Sequence, residues 1–212
     1  MVKAIIFDMD GVIIHTELPR FQFIQKCVSE LGVSLDDQLI NIFIGRRTSV
    51  ILHEYLKDLI TPDQSKIIIQ RIETEFWPNI SLYMKPIAET INFIKYYEGI
   101  VKFAIASMSP RKQIINIMTH LGIYKKFTLI TSADEVIHFK PHPEIYIKTC
   151  EGLRLKPTEC GVIEDSLVGT KSAITAGCQC YVLLNGLNSP NQFTELKIKG
   201  FIKTIKDLQK LV

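Results

Sequence analysis

The sequence predicts an α/β protein, a doubly wound parallel sheet (a Rossmann-like core) with an all-helical segment inserted after its first strand. Short apolar runs, typical of strands buried on both faces, alternate with segments of helical periodicity. The alternation is interrupted after the first run. Strands that alternate with helices form parallel sheets covered on both faces. Because five strands are too few for an eightfold barrel, the sheet is predicted to be open.

The predicted elements follow from apolar runs and from helix start and stop signals. The predicted strands are 2–7, 101–106, 127–131, 160–163 and 180–184. The helices between them are predicted at 86–97, 110–121, 143–150 and 166–176. Ser109 is predicted to cap the second of these helices, with Pro110 as its first residue. The glycines predicted to follow helix ends are Gly99, Gly122, Gly152 and Gly177.

Residues 16–81 show helical patterns and no convincing buried strand. The helical pieces are 16–31, 36–44, 48–59 and 62–76, and Gly32, Gly45 and the Thr61-Pro62 pair separate them. We therefore expect two domains. Residues 1–15 and 82–212 would form the sheet domain, and residues 16–81 would form an inserted helical domain.

Composition excludes several classes of protein. Of the 212 residues 47% are hydrophobic and the formal net charge is +3, which argues against disorder. The absence of a long basic run argues against a nucleic-acid partner, and the absence of about 20 consecutive apolar residues argues against a membrane span. The five cysteines include no CxxC pair, which favours free thiols and a cytoplasmic location. No apolar stripe requires a dimer, so we expect a monomer.

Two pairs of carboxylates stand where predicted strands end, the edge at which doubly wound sheets bind ligands. Asp8 and Asp10 follow the first strand, and Glu164 and Asp165 follow the fourth. Paired carboxylates are costly unless a positive charge lies between them, and oxygen ligands favour Mg²⁺ over softer metals. Each pair also has a plainer interpretation, a polar turn for the first and acids at a helix N-terminus for the second.

A serine and a lysine follow the second and third predicted strands. Ser107 leads into a helix N-terminus, which attracts anions. Lys140 is followed by prolines at 141 and 143, which restrict the backbone around a side chain that is normally mobile. The plainer interpretations are a helix cap for the serine and a solvated lysine in a turn.

Together the four motifs resemble those of the haloacid dehalogenase-like phosphohydrolases. The matching segments are FDMDG at 7–11, ASMS at 106–109, KPHPE at 140–144 and IEDS at 163–166. The resemblance covers the whole chain, because the helical segment is similar to the family's cap domain. The length of the insert resembles the subgroup that contains β-phosphoglucomutase and many small-metabolite phosphatases.

The resemblance implies a Mg²⁺-dependent phosphatase for a small phosphorylated metabolite of the sugar or polyol phosphate class. Asp8 would be the nucleophile that forms an aspartyl-phosphate, and Asp10 would be the general acid and base. The implied Mg²⁺ ligands are Asp8, the backbone carbonyl of Asp10, Glu164 and Asp165. The implied phosphate-binding groups are Ser107, the Met108 backbone N–H and Lys140.

The helical segment departs from the mutase pattern. Arg20 aligns with the histidine that acts on the sugar in mutases, and His15 stands where the family usually has Asp, which counts against mutase activity. Arg46 and Arg47, together with Arg20, are the candidates for contact with a second phosphate or a carboxylate of the substrate. A solvated charge pair at a helix start is the plainer interpretation of the first two.

Two other functions remain open. A phosphosugar mutase would return the phosphoryl group to the sugar and would need a bisphosphate primer. A non-catalytic phosphate-ligand binding protein would normally lack the nucleophile or the acid, and both Asp8 and Asp10 are present. A dehalogenase is disfavoured because Lys140 and the second acid pair suit phosphorus chemistry. We expect hinges at 11–15 and 82–86.

Overall fold

A computed structural model describes residues 2–44, 46–204, 207 and 209; Gly45, predicted to separate two helices, lies outside them. In chain order the strands are β1 (Ala4–Phe7), β2 (Ile14–His15), β3 (Lys85–Pro86), β4 (Lys102–Ala106), β5 (Leu129–Thr131), β6 (Cys160–Glu164), β7 (Gln179–Leu183) and β8 (Gly200–Ile202). The α-helices are α1 (Glu17–Ser29), α2 (Ile40–Phe43), α3 (Thr48–Val50), α4 (Pro62–Arg71), α5 (Ala88–Tyr96), α6 (Arg111–His120), α7 (Glu144–Leu153) and α8 (Leu167–Thr175).

Six of these strands form one parallel sheet in the order β5-β4-β1-β6-β7-β8. The chain starts in the middle, builds outward through β4 and β5, and then returns to build the other half from β6. This reversal beside β1 is the switch point at which doubly wound sheets bind ligands. The predicted doubly wound parallel sheet is therefore confirmed.

The central strand β1 is apolar throughout because both of its faces are buried. Ile6 belongs to the buried cluster that contains Tyr146 of α7, whereas the ring of Phe7 packs edge-to-face on Phe103 at 5.6 Å between centroids. Phe93 of α5 lies 6.4 Å from the same Phe7 ring. Alternate side chains of β1 thus enter two different cores, and both must be apolar.

The sheet has a sixth strand that the sequence does not predict. Strand β8, Gly200–Ile202, pairs with β7 as Tyr181↔Gly200 and Leu183↔Ile202. Its apolar run is only two residues long and stands between lysines, so it lacks the continuous apolar pattern of the central strands. Among the described strands it pairs with β7 alone, so on its outer side it lacks the pairing that the central strands have.

Two helix termini differ from the predictions. Pro110, not Ser109, is the N-cap of α6, and its extended backbone (ψ 144°) delays the first helical residue to Arg111. Gly152 does not end α7; the helix continues to Leu153 and turns at left-handed Arg154. A Cβ on Gly152 would collide with the Leu129 side chain of β5, so this glycine allows the helix to approach the sheet closely.

The chain divides into two compact units, residues 1–14 with 86–212, and residues 15–85. The second unit is helical, with α3 and α4 continuing into π-type turns at Ile51–Tyr55 and Ile72–Phe76. Its core includes an edge-to-face pair of Phe21 and Phe43 at 4.9 Å.

The cysteines and the hydropathy of the helices bear on two further predictions from the sequence. All five cysteines are buried free thiols. Among the described residues, no helix combines the length and the apolar composition that a membrane crossing requires.

Candidate active site

A buried lysine connects three strand ends of the sheet unit. The Nζ of Lys140 donates to Oδ1 of Asp8 at 3.0 Å, to Oε1 of Glu164 at 2.6 Å and to the carbonyl of Ala106 at 3.2 Å. Its side chain is only 4% exposed. Lys140 thus holds together the ends of β1, β4 and β6, as expected for residues that follow parallel strands at one edge of a sheet.

Burial and charge set the pKa values of the paired groups. Burial raises the pKa of Asp8 well above its usual value, and the neighbouring carboxylates Glu164 and Asp10 raise it further, although the Lys140 ammonium lowers it. Burial alone would lower the pKa of Lys140, but attraction to Asp8 and Glu164 raises it above that of a free lysine. Lys140 is therefore a permanent cation at this site.

Glu164 is held at both carboxylate oxygens. Tyr146 donates from its hydroxyl to Oε1 at 2.6 Å, beside the Lys140 ammonium. Ser166 donates to Oε2 from its hydroxyl at 3.0 Å, and the same hydroxyl accepts from the Gly169 N–H and so caps α8. Glu164 is completely buried. Donors from two helices therefore fix its orientation.

Asp165 is held by the loop that follows β7. Asn185 donates from Nδ2 to Oδ2 of Asp165 at 2.8 Å and to the Gly11 carbonyl at 2.9 Å. Asn188 donates to the backbone carbonyl of Asp165 at 2.7 Å. Gly11 adopts a left-handed φ of +78°, and a Cβ there would overlap the Asp165 carboxylate. The loop after β1 can approach Asp165 only because residue 11 is glycine.

Asp10 lies beside the ASMS segment. The Ser109 hydroxyl donates to Oδ2 of Asp10 at 3.2 Å, and the Ser109 N–H donates to the Ser107 hydroxyl at 3.2 Å. Ser107 is fully buried, whereas Met108 is partly exposed. The residue predicted as a helix cap therefore orients a predicted catalytic acid instead.

Three carboxylates form a set that fits a hard divalent cation. One oxygen from each of Asp8, Glu164 and Asp165 lies within 4.8 Å of the others, and all three residues are buried. Lys140 supplies one positive charge against these three negative charges, so a further cation would relieve their repulsion. An all-oxygen donor set of this kind suits Mg²⁺.

Three residues that support this site were not predicted from the sequence: Tyr146, Asn185 and Asn188. Tyr146 carries no distinguishing signal, because an aromatic residue at helical spacing is usually a core residue. The two asparagines do have a recognisable signal in the sequence, because they follow the carboxyl end of a predicted strand, where ligands bind.

The three arginines predicted to contact substrate belong to the helical unit. Arg20 donates to the Phe43 carbonyl at 2.8 Å, and Arg46 donates to the Ile42 carbonyl at 3.1 Å. Arg47 is the N-cap residue of α3, and its charge lowers the pKa of Glu73 against the stronger effect of burial, which raises it. Arg20 and Arg46 thus both hold backbone carbonyls of their own unit.

A doubly wound sheet with a lysine–carboxylate cluster at its switch point defines a class of enzymes, and comparison with known proteins identifies the family. The family model of the haloacid dehalogenase-like hydrolases matches residues 5–183. The chain belongs to this family, as its motifs predict, and is a hydrolase of the family's fold.

Named relatives span most of the chain. A phosphorylated carbohydrates phosphatase of Thermotoga maritima is 27% identical and aligns over 95% of this chain and 94% of its own length. The fructose-1-phosphate phosphatase YqaB of Escherichia coli is 27% identical over 82% of this chain and 92% of its own. The structure of β-phosphoglucomutase from Clostridium difficile superimposes with a TM-score of 0.78 at 23% identity, covering 100% of this chain and 97% of that one, and shows the shared fold.

Proposed function

We propose that the protein is a Mg²⁺-dependent phosphatase that hydrolyses a small phosphorylated metabolite, of the sugar or polyol phosphate class, through an aspartyl-phosphate intermediate. The observation that carries this proposal is the buried cluster in which Lys140 joins Asp8 to Glu164, beside Asp165. A nucleophilic carboxylate, a fixed cation and a divalent-cation site at one strand edge are the groups that phosphoryl transfer needs. The phosphatase names of the relatives support the same reaction.

In the proposed mechanism Asp8 attacks phosphorus, and the bond from phosphorus to the leaving oxygen breaks. Asp10 donates its proton to the leaving alcohol and later takes a proton from the water that hydrolyses the aspartyl-phosphate. The hydrogen bond from Ser109 orients Oδ2 of Asp10 for this role. A bound Mg²⁺ would reduce the repulsion between the anionic nucleophile and the anionic phosphate.

The phosphate would be held by neutral donors at the end of β4 and by the positive charge of Lys140. Lys140 is a buried cation beside Asp8, so it stabilises the charge of the transferring group. The Ser107 hydroxyl and the Met108 N–H supply the neutral donors. Glu164, Asp165 and Asp8 would hold the cation, together with the Asp10 backbone carbonyl. These assignments draw on residues from all four motifs.

The helical unit would act as the cap domain that selects the substrate, with Arg20, Arg46 and Arg47 as candidate contacts. Arg20 and Arg46 already donate to the carbonyls of Phe43 and Ile42, so binding a substrate would draw on their remaining N–H groups. Monomeric state and cytoplasmic location stay predictions.

The test is phosphate release from a panel of sugar, polyol and carboxylic-acid phosphates, with and without Mg²⁺. Asp8→Asn keeps the shape of the nucleophile and removes its charge, and we expect it to lower turnover by about 10³-fold or more. Asp58→Asn, an exposed change in the helical unit, is the matched control and should retain activity.

The outcomes separate the alternatives. Metal-dependent release that Asp8→Asn abolishes supports the phosphatase. Isomerisation of a sugar phosphate with a bisphosphate primer, and little release, would instead show a mutase. Phosphate-analogue binding without turnover of any compound would overturn the proposal in favour of a binding protein.

A further inference from the structure

A second cluster of metal-ligating side chains stands outside the carboxylate site, on the outer side of the segment that carries Lys140. One nitrogen from each imidazole of His138 and His142, and one oxygen of Glu144, lie within 4.8 Å of one another. The two imidazole rings lie 4.5 Å apart between centroids. Both histidines are exposed and Glu144 is half-buried, so the cluster is open to solvent.

Glu144 is fixed in position and ionised. The backbone N–H groups of Ile137 and His138 donate to its two oxygens at 3.0 and 2.9 Å, and these bonds lower the pKa of Glu144 to about 2. Each carboxylate oxygen has a second lone-pair direction, and on Oε1 this direction serves the Lys148 ammonium, 3.4 Å away at the protein surface, which an ion would displace. Nδ1 of His138 already lies 3.0 Å from Oε2 of Glu144.

We propose that His138, His142 and Glu144 bind a divalent transition-metal ion of the zinc class, at a site separate from the Mg²⁺ carboxylates. Two imidazoles and a carboxylate are ligands that zinc accepts, with water completing the tetrahedron, whereas Mg²⁺ favours oxygen donors alone. Ligand atoms around tetrahedral zinc lie about 3.4 Å apart. The three ligand atoms, all within 4.8 Å of one another, would close around the ion by rotation of the two exposed imidazoles.

The position of this site gives the ion a structural consequence. His138 and His142 stand two residues before and two residues after Lys140, so one ion would link both sides of the lysine segment. Because the fold fixes the Glu144 carboxylate beside the two imidazoles, the ion binds the folded state more tightly than the unfolded chain and raises the unfolding temperature. This inference does not depend on the proposed phosphatase reaction, because it concerns metal binding and stability alone.

The test is calorimetric titration with Zn²⁺ in saturating Mg²⁺, which keeps hard-cation sites filled. Wild type should bind one equivalent that His138→Ala and His142→Ala each weaken by about 10-fold or more, since loss of even an outer-shell partner costs that much. His120→Ala removes an exposed histidine from the end of α6 and is the matched control, which should bind as wild type does.

Two further readouts locate the ion. The imidazole ¹⁵N signals of His138 and His142 should shift with Zn²⁺, while those of His53 and His120 stay in place. Zn²⁺ should raise the unfolding temperature of wild type and His120→Ala but not of the double variant His138→Ala/His142→Ala. Equal zinc affinity in wild type and both single variants, or shifts confined to other histidines, would overturn the proposal.

Discussion

The Tyr146 hydroxyl and the Lys140 ammonium donate to the same oxygen of Glu164, each at 2.6 Å. The Tyr146 ring also lies 4.9 Å from the lysine nitrogen, so one buried aromatic residue contacts both members of the ion pair. Burial raises the pKa of Tyr146 well above its usual value, and the Glu164 charge raises it further, so the phenol stays a donor. Tyr146 is therefore a positioning residue for a proposed metal ligand.

Tyr146→Phe should weaken Mg²⁺ binding while keeping the fold. The ring and its contact with Lys140 remain, but Glu164 loses one of its fixed donors, and such outer-shell losses lower metal affinity by about 10–100-fold. The measurement is the Mg²⁺ concentration for half-maximal phosphatase activity, which should rise while activity at saturating Mg²⁺ largely recovers. Tyr124→Phe changes a more exposed tyrosine and serves as the control. An unchanged Mg²⁺ requirement would contradict the positioning role.

Gly169→Ala should displace Glu164 by steric contact alone. Gly169 lies in the first turn of α8, and a Cβ there would overlap the Glu164 carboxylate. We expect Gly169→Ala to need more Mg²⁺ for half-maximal activity than Tyr146→Phe does, because the carboxylate must move rather than lose one hydrogen bond. The check is the same Mg²⁺ activation curve. The control is Gly200→Ala, since a Cβ on Gly200 meets nothing within 4 Å. Equal Mg²⁺ dependence in Gly169→Ala and Gly200→Ala would refute this explanation.

The fold was predictable where burial imposes a pattern. Strands β1 and β6 are buried on both faces and read as continuous apolar runs, whereas the edge strand β8 has only two apolar residues between lysines. Gly152 was wrongly predicted to follow a helix end. This position requires glycine because the helix packs closely against the Leu129 side chain. A contact between distant residues leaves no local trace in the sequence.

The residue types of the candidate site were predictable from the sequence, but the hydrogen bonds and ion pairs between them were not. The order of Asp8, Lys140 and Glu164 along the chain indicates the family, since each follows its own strand. That Lys140 contacts both carboxylates follows from strand order, which the sequence does not state. Tyr146 was indistinguishable from a core aromatic, because its hydrogen bond depends on how α7 packs on the sheet.

Lys140→Met should destabilise the protein in a pH-dependent way. The change leaves Asp8 and Glu164 buried without their ammonium, and breaking a buried pair costs about 3–5 kcal/mol. Without the lysine the pKa of Asp8 in the folded state rises further. When the pKa of a carboxyl is higher in the folded state than in the unfolded state, the folded state is favoured at acid pH. That contribution to stability is lost as the pH rises through the folded-state pKa. The loss relative to wild type should therefore be larger at neutral pH than at acid pH.

Denaturant unfolding of Lys140→Met across this pH range, in chelator, measures the effect. Lys171→Met replaces an exposed lysine on α8 and should lose little stability at any pH. A destabilisation of the same size at acid and neutral pH would show that lost packing, rather than the unpaired carboxylates, causes the effect.

Asp8→Asn should be more stable than wild type at neutral pH when no divalent cation is present. The pKa of Asp8 is raised by burial despite the attraction of Lys140, so ionising this carboxyl costs the folded state free energy. Asparagine carries no charge at any pH and avoids that cost. A gain of about 1 kcal/mol corresponds to a rise of about 2–4 °C in unfolding temperature for a chain of this length. The gain should vanish below the pKa of the unfolded carboxyl, about 3.9, where wild-type Asp8 is also neutral.

Mg²⁺ should reverse this order. The ion binds the folded wild type through the carboxylates and raises its unfolding temperature, whereas Asp8→Asn offers one charged ligand fewer and gains less. Thermal unfolding of both proteins in chelator and in Mg²⁺, at neutral and acid pH, gives the four comparisons needed, with Asp58→Asn as the surface control. If Asp8→Asn is the less stable protein in chelator at neutral pH, then Lys140 outweighs burial at Asp8, and the charge balance argued for this site is wrong.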